Sequence, residues 1–397
     1  MNNNSTDNLF DDSNVNLNAL RQKAYNGRWA EVDEGVIPLT AADPDFPVAK
    51  EITQSIIDYL QDGYLSYTPH SGLQSFKESV ADYLNTYKNE NVDPSLVLPI
   101  DSAARGMYII AESVLDKGDE VIVFDPVDYL FRESSLAAGA SISLFPARVV
   151  NNRIDLYHLE EYITAKTKMI CLCNPHNPLG IVYTPEDLEH ILSLANKYDL
   201  YIMNDEIWSD IVYKESKFTS ILSLGKERNR KTLSVFGFSK SFGVAGLRAG
   251  AVYAHDEKIF ETIVEKSQVL TTAGGISSLS QIGAQAALDK SRYWVEAFLT
   301  HLTANRDYGY ERINRMKNLS CLRPQATYMF FVDITKTGLS STEFTQRLKD
   351  EGKLAVVPGV SRFFGPGAEG YVRICFATSA AILREALDRL ERWLETL

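Results

Sequence analysis

KMICLCNPHNPLGIVYTPEDLEHILSLANKYDLYIMND, residues 168–205, decides the fold. Its two ends, KMICLC and LYIMND, are short apolar runs of the kind that form fully buried strands. Between them, TPEDLEHILSLANKY reads as a helix. Thr184 suits an N-cap, Pro185 suits the first helical position, and Leu188, Ile191, Leu192 and Ala195 share one stripe. Strand, helix and strand in this rhythm predict parallel neighbours joined by a crossover.

The same rhythm extends outward through DEVIVF (119–124), TLSVFG (232–237) and AGAVYA (249–254). The prediction is an α/β protein whose large domain has a mainly parallel sheet flanked by helices. The last hundred residues differ. A long helix is expected over 291–316, strands in ATYMFFVDI and YVRICFA, and a closing helix in ILREALDRLERWLETL, apolar at Ile382, Leu383, Ala386, Leu387, Leu390 and Leu394. These make a smaller α+β C-terminal domain. Two domains also suit 397 residues.

Bulk properties narrow the function. With 45% hydrophobic and 23% charged residues the chain has a globular profile. A net charge of -12 argues against nucleic acid or an acidic membrane surface as partner. No apolar run is long enough to span a bilayer, and MNNNSTDNLFDDSNVNLN lacks the basic and apolar regions of a signal peptide. The expectation is a cytoplasmic protein. Cys171, Cys173, Cys321 and Cys375 form no C-x-x-C pair and read as small apolar fillers, so no metal is expected.

Ligands of parallel sheets gather beyond the carboxyl ends of the strands. Three segments there are unusual. CNPHNPLG crowds Asn174, His176 and Asn177 between prolines. NDEIWSD puts Asp205 at the end of an apolar strand, where a carboxylate needs a partner. FGFSKSFGVAGLRAG (236–250) sets Lys240 among small and hydroxyl residues with Arg248 eight positions on. Taken singly, each also reads as a rigid turn or a solvated loop.

Asn177, Asp205, Lys240 and Arg248, in this order and each just past a strand, resemble the fold-type I pyridoxal-phosphate enzymes of the aspartate aminotransferase superfamily. The likeness extends over residues 22–397. It implies pyridoxal 5'-phosphate as cofactor and Lys240 as the catalytic lysine that carries it covalently and then moves protons at the substrate Cα. By the same likeness Asp205 partners the ring nitrogen, Asn177 donates to the ring's phenolic oxygen, and Arg248 holds the phosphate. Ser102, Ala103 and Ala104 open a helix whose N–H groups face that phosphate, with Ser239 beside Lys240. Trp208 stands where many relatives carry a tyrosine, and Gly237 where they often carry serine.

An aromatic ring usually stacks on the cofactor from the turn after DEVIVF. In DPVDYLF the usual spacing from Pro126 falls on Asp128; Tyr129 is assigned here because a carboxylate makes a poor ring face. Arg373, in EGYVRICFATS, matches the arginine that grips the substrate α-carboxylate, and Ala41 and Ala42, in PLTAADPDF, match a backbone segment near the same group. Tyr67 matches a tyrosine that reaches the phosphate of a neighbouring chain, which implies a homodimer with shared active sites. The implied division is a mobile polar tail at 1–20, a segment at 21–62 that joins the small domain and covers the site, a large cofactor-binding domain at 63–290 and a small domain at 291–397.

The implied reaction is transamination between an L-amino acid and a 2-oxo acid. NPHNPLG, NDEIWSD and AADPDF lean toward a carbon–sulfur β-lyase of the cystathionine-cleaving branch, and a specialised amino-acid-modifying member is the third reading. The substrate side chain stays open: Tyr25, Trp29 and Trp208 line a pocket or simply pack, and Arg28 and Arg362 read an acidic side chain or belong to the surface.

Overall fold

A computed structural model describes residues 9–397 of the chain. Strand β1 (Ile37–Pro38) comes first and belongs to no large sheet. The central sheet is built from β2 (Val97–Ile100), β3 (Glu120–Asp125) and β4 (Ser141–Pro146). After a small hairpin, β5 (Val149–Val150) and β6 (Arg153–Ile154), it continues with β7 (Thr167–Cys173), β8 (Tyr201–Asp205), β9 (Thr232–Gly237) and β10 (Gly250–Ala254). Their spatial order is β2-β10-β9-β8-β7-β3-β4. β3, β4, β7, β8 and β9 pair in parallel, while β10 runs antiparallel to both its neighbours. The expected mainly parallel α/β sheet is therefore what forms, with one reversed strand.

Local chemistry explains the central crossover. The helix Pro185–Lys197 begins at Thr184, whose hydroxyl accepts from Asp187 N while the Asp187 carboxylate accepts from Thr184 N, a closed capping box. Leu188, Ile191 and Leu192 are buried in the main core. The return strand β8 then pairs with β7 so that Cys173 and Asp205 lie abreast, and Asp205 lies abreast of Val235 on β9.

The C-terminal sheet has the order β11 (Ser320–Cys321), β12 (Met329–Asp333), β15 (Tyr371–Cys375), β14 (Val357–Pro358). The long helix Arg292–Arg315 leads into it, and the amphipathic helix Ala380–Leu394 closes the chain. The remaining short strand, β13 (Leu354–Ala355), pairs in parallel with β1, so residues 37–38 attach to this C-terminal unit.

Residues 1–8 of the expected mobile tail lie outside the described residues. Most of residues 9–20 are exposed, but the segment is pinned at two points. Phe10 is buried among Phe46, Trp294, Phe298 and His301, and Asp12 accepts a hydrogen bond from Ala381 N at the head of the last helix. One aromatic anchor outweighs the polar composition around it. All four cysteines are free, as apolar fillers would be, and Cys171, Cys173 and Cys375 are buried.

Candidate active site

The carboxyl ends of β3, β7, β8 and β9 open on one edge of the central sheet, and residues 40–43 cross it from the C-terminal unit. Lys240 follows β9 on the short helix Ser239–Phe242. Its Nζ donates to Ala42 O at 2.9 Å and sits 5.7 Å from the centre of the Trp208 ring. The same Ala42 carbonyl accepts from Tyr328 Oη at 3.2 Å. Trp208 itself is buried, edge-on to Tyr328. Burial lowers the Lys240 pKa, with Arg373 pushing the same way and Asp43 opposing. The effect favours the neutral, nucleophilic amine.

Asp205 ends β8 with its Oδ1 accepting from Ile207 N at 3.0 Å. No cation lies within ion-pair range of it among the described residues. Burial pushes its carboxyl up to about 7. A desolvated carboxylate without a counter-charge suits a protonated heterocyclic nitrogen. Gly237 closes β9 beside it. A Cβ at Gly237 would stand 2.7 Å from Ile207 Cδ1, so a serine here would require the Ile207 side chain to shift.

Asn177 is held between opposite charges. Its Nδ2 donates to Asp128 Oδ2 at 3.0 Å, and its Oδ1 accepts from Arg373 Nη1 at 3.4 Å. Arg373 Nη2 reaches Thr40 O at 3.4 Å, the guanidinium lies 5.1 Å from the Phe364 ring, and Nε is buried with no partner. A half-buried arginine with two long contacts and an orphan donor has capacity for an anion. His176, between Asn174 and Asn177, is a core residue: burial lowers its pKa to about 3, and both ring nitrogens lack partners.

The helix Ala103–Val114 starts at the same edge. The Ser102 hydroxyl caps it by accepting from Arg105 N at 3.1 Å, and the N–H groups of Ala103 and Ala104 have no preceding turn to bond. Arg248 has the left-handed backbone angle φ 52° and an exposed side chain with no ion pair among the described residues. Arg248, the open helix start, the uncompensated Asp205 and the desolvated Lys240 form a donor set that fits a phosphorylated, cationic heteroaromatic aldehyde.

Two expected residues, Tyr129 and Tyr67, are exposed. The turn after β3 delivers Asp128, not Tyr129, to Asn177. Asp128 Oδ1 accepts from Leu130 N at 3.2 Å, which turns this carboxylate inward, whereas Tyr129 is 40% exposed. The spacing from Pro126 thus falls on a side chain that faces Asn177, with Tyr129 beside it. Tyr67 is 94% exposed and touches nothing in its own site. Arg28 is not a free substrate reader. It is buried, bonds to Ala41 O, Asp43 O and Asp45, and thereby holds the turn that presents residues 40–43. Sequence reasoning missed Asp43, because an aspartate before proline reads as an ordinary turn. It also missed Tyr328 and Phe364, which carried no signal beyond their hydrophobicity.

Comparison with known proteins follows the same lines. The family model for aminotransferase class I and II matches residues 34–390. An aspartate aminotransferase of Thermotoga maritima is 34% identical over 366 residues, 91% of this chain and 92% of that protein. The crystal structure of an aromatic aminotransferase from Pyrococcus horikoshii superposes with a TM-score of 0.85 at 30% identity, covering 92% of this chain and 97% of that one. Cystalysin from Treponema denticola, whose crystals contain pyridoxal 5'-phosphate, shares the fold with a TM-score of 0.88 at 20% identity, over 95% and 97% of the two chains.

Proposed function

Because this chain belongs to the aminotransferase class I and II family, we propose that the residues around Lys240 perform its amino-group transfer. The protein is a transaminase that uses pyridoxal 5'-phosphate to move an amino group between an amino acid and a 2-oxo acid. When bound, the cofactor supplies an electron sink that weakens the bonds at the substrate Cα.

The chain's own residues divide the remaining work. Asp205 supplies the counter-charge for the ring nitrogen, and Asn177 donates to the ring oxygen. Arg248, Ser102, Ser239 and the N–H groups of Ala103 and Ala104 receive the phosphate. Trp208 packs beside Lys240 and helps to keep water away from it. Arg373 grips the α-carboxylate, with Ala42 beside it. Lys240, whose pKa desolvation lowers, accepts the proton from Cα and returns it at the end of the half-reaction. The observation that carries this reading is the coincidence, at one sheet edge, of a desolvated lysine, an uncompensated buried carboxylate and an arginine with an orphan donor.

The active form in this reading is a homodimer. Support comes from the exposed apolar and aromatic groups of residues 57–67, among them Ile57, Tyr64, Leu65 and Tyr67, which a monomer would leave in water. We place the enzyme in the cytoplasm, where four free thiols stay reduced. No described helix is long and apolar enough to cross a membrane.

The test mixes purified protein with single amino acids and follows the cofactor spectrum. Loss of the pyridoxal absorbance with an amino acid alone, restored by 2-oxoglutarate, is the expected result. Pyruvate and ammonia released from cysteine conjugates without any acceptor would assign a β-lyase instead.

A further inference from the structure

The charges at the site do not balance once the transferase parts have been assigned. Lys240, Arg248 and Asp205 go to the cofactor and Arg373 to the α-carboxylate, while Arg28 is consumed by Asp45. Two carboxylates remain. Asp128 accepts only from neutral donors, Leu130 N and Asn177 Nδ2, and among the described residues no cation lies within ion-pair range, although Arg373 and Lys240 act on it electrostatically. Among the described residues the Asp43 side chain has no hydrogen bond or ion pair; its electrostatic neighbours are Arg28, Lys240 and Asp45. Both are desolvated enough that burial raises their pKa values. Both are half-buried, and the cations nearest to them, Arg373, Lys240 and Arg28, are the ones already assigned to the substrate carboxylate, the cofactor and Asp45; a cationic ligand group would take their place.

Placement narrows the ligand further. Asp128 is joined to Arg373 through the single amide of Asn177. An amino acid whose carboxylate sits on Arg373 therefore has a carboxylate waiting one amide and two hydrogen bonds away. Roughly three or four methylenes bridge such a gap. We infer that Asp128, assisted by Asp43, selects amino acids with a cationic side chain, an amine or a guanidine, as the amino donors of this enzyme. The inference rests on the aminotransferase reading above. It separates this chain from its aspartate-named and aromatic-named relatives, whose substrates would leave both acids unpaired.

The experiment uses the holoenzyme and matched pairs. L-Ornithine, L-lysine and L-arginine are compared with the neutral isosteres L-norvaline and L-norleucine, and with L-glutamate and L-phenylalanine. α-Methylornithine and α-methylnorvaline, which have no Cα proton to lose, report binding by calorimetry independently of turnover. The basic donors should exceed their isosteres at least about tenfold in kcat/KM, the scale of one charge-assisted contact. Asp128→Asn should cut that ratio about tenfold, chiefly through KM, and weaken α-methylornithine by a like factor. Asp43→Asn should do the same to a smaller degree, and added salt should shrink the preference. A preference for glutamate, phenylalanine or the neutral isosteres overturns the inference, as does a basic preference indifferent to both substitutions. If no amino acid reacts or binds at all, the aminotransferase reading falls with it, a result distinct from the other two.

Discussion

Removing the charge at Asp205 should stabilise the cofactor-free protein while crippling the enzyme. The carboxyl is held up at about 7, against an ordinary 3.8, by burial above all and then by Asp128 and Glu206; Ile207 N–H and Lys240 pull the other way. Between those two values the folded chain keeps a proton that the unfolded chain has released. Stability therefore falls as pH rises from about 4 to about 7, and the full cost persists above that. A difference of about three units at about 1.4 kcal/mol each makes the cost about 4 kcal/mol. In Asp205→Asn the Oδ1 can still accept from Ile207 N, so the geometry survives without the charge. The assay is thermal unfolding of cofactor-free parent and variant from pH 4 to pH 8. The two should coincide near pH 4 and diverge by several degrees at pH 8, with the variant higher. Bound cofactor should narrow the gap, because its ring nitrogen supplies the missing counter-charge, while turnover of the variant collapses. Parallel curves, or a parent more stable at pH 8, would refute the reasoning.

Four further outcomes follow from the same contacts. Borohydride should fix the cofactor on Lys240, as peptide mapping reads, and Lys240→Ala should lose turnover yet still bind cofactor non-covalently. Arg373→Lys should lower kcat/KM for amino acids by about 2–4 kcal/mol, yet change little for the matching amine without a carboxylate; equal losses for both would remove Arg373 from the carboxylate site. Tyr67→Phe and Lys240→Ala should each be impaired alone, and mixed subunits should regain one site with both native residues, measured as activity above the average of the parents. Gly365→Ala should destabilise the protein by at least about 1–3 kcal/mol, seen as a lower unfolding temperature. Its φ is +97°, and the new Cβ would lie 2.2 Å from Asp125 Oδ1, which accepts from Gly367 N.

Much of this was legible because the signals are local. Periodicity marked the five strands and the helix after Thr184, since a strand buried on both faces is apolar throughout and a capping box spans only four residues. Lys240, Asp205 and Asn177 stood out as polar residues just beyond such strands. What escaped depends on long-range geometry. The reversal of β10 cannot be read from its own residues. Whether Asp128 or Tyr129 turns inward depends on one hydrogen bond to Leu130 N. Arg28 looked like a possible substrate reader until the fold placed Asp45 against it. The burial of Phe10 needed a pocket made by residues nearly three hundred positions away.

The pairing of β1 with β13 makes residues 40–43 a tether. At one end the chain is stitched to the C-terminal sheet through Ile37 and Leu354; at the other, the Ala42 carbonyl takes the hydrogen bond of Lys240. Swinging the C-terminal unit away from the central sheet must pull that carbonyl off the lysine, and bringing it back must restore the contact. Arg373, on β15 of the same unit, travels with it. In the proposed site, the arginine for the substrate carboxylate and the carbonyl that holds the lysine are therefore carried by one unit, so a displacement of that unit would change both contacts together.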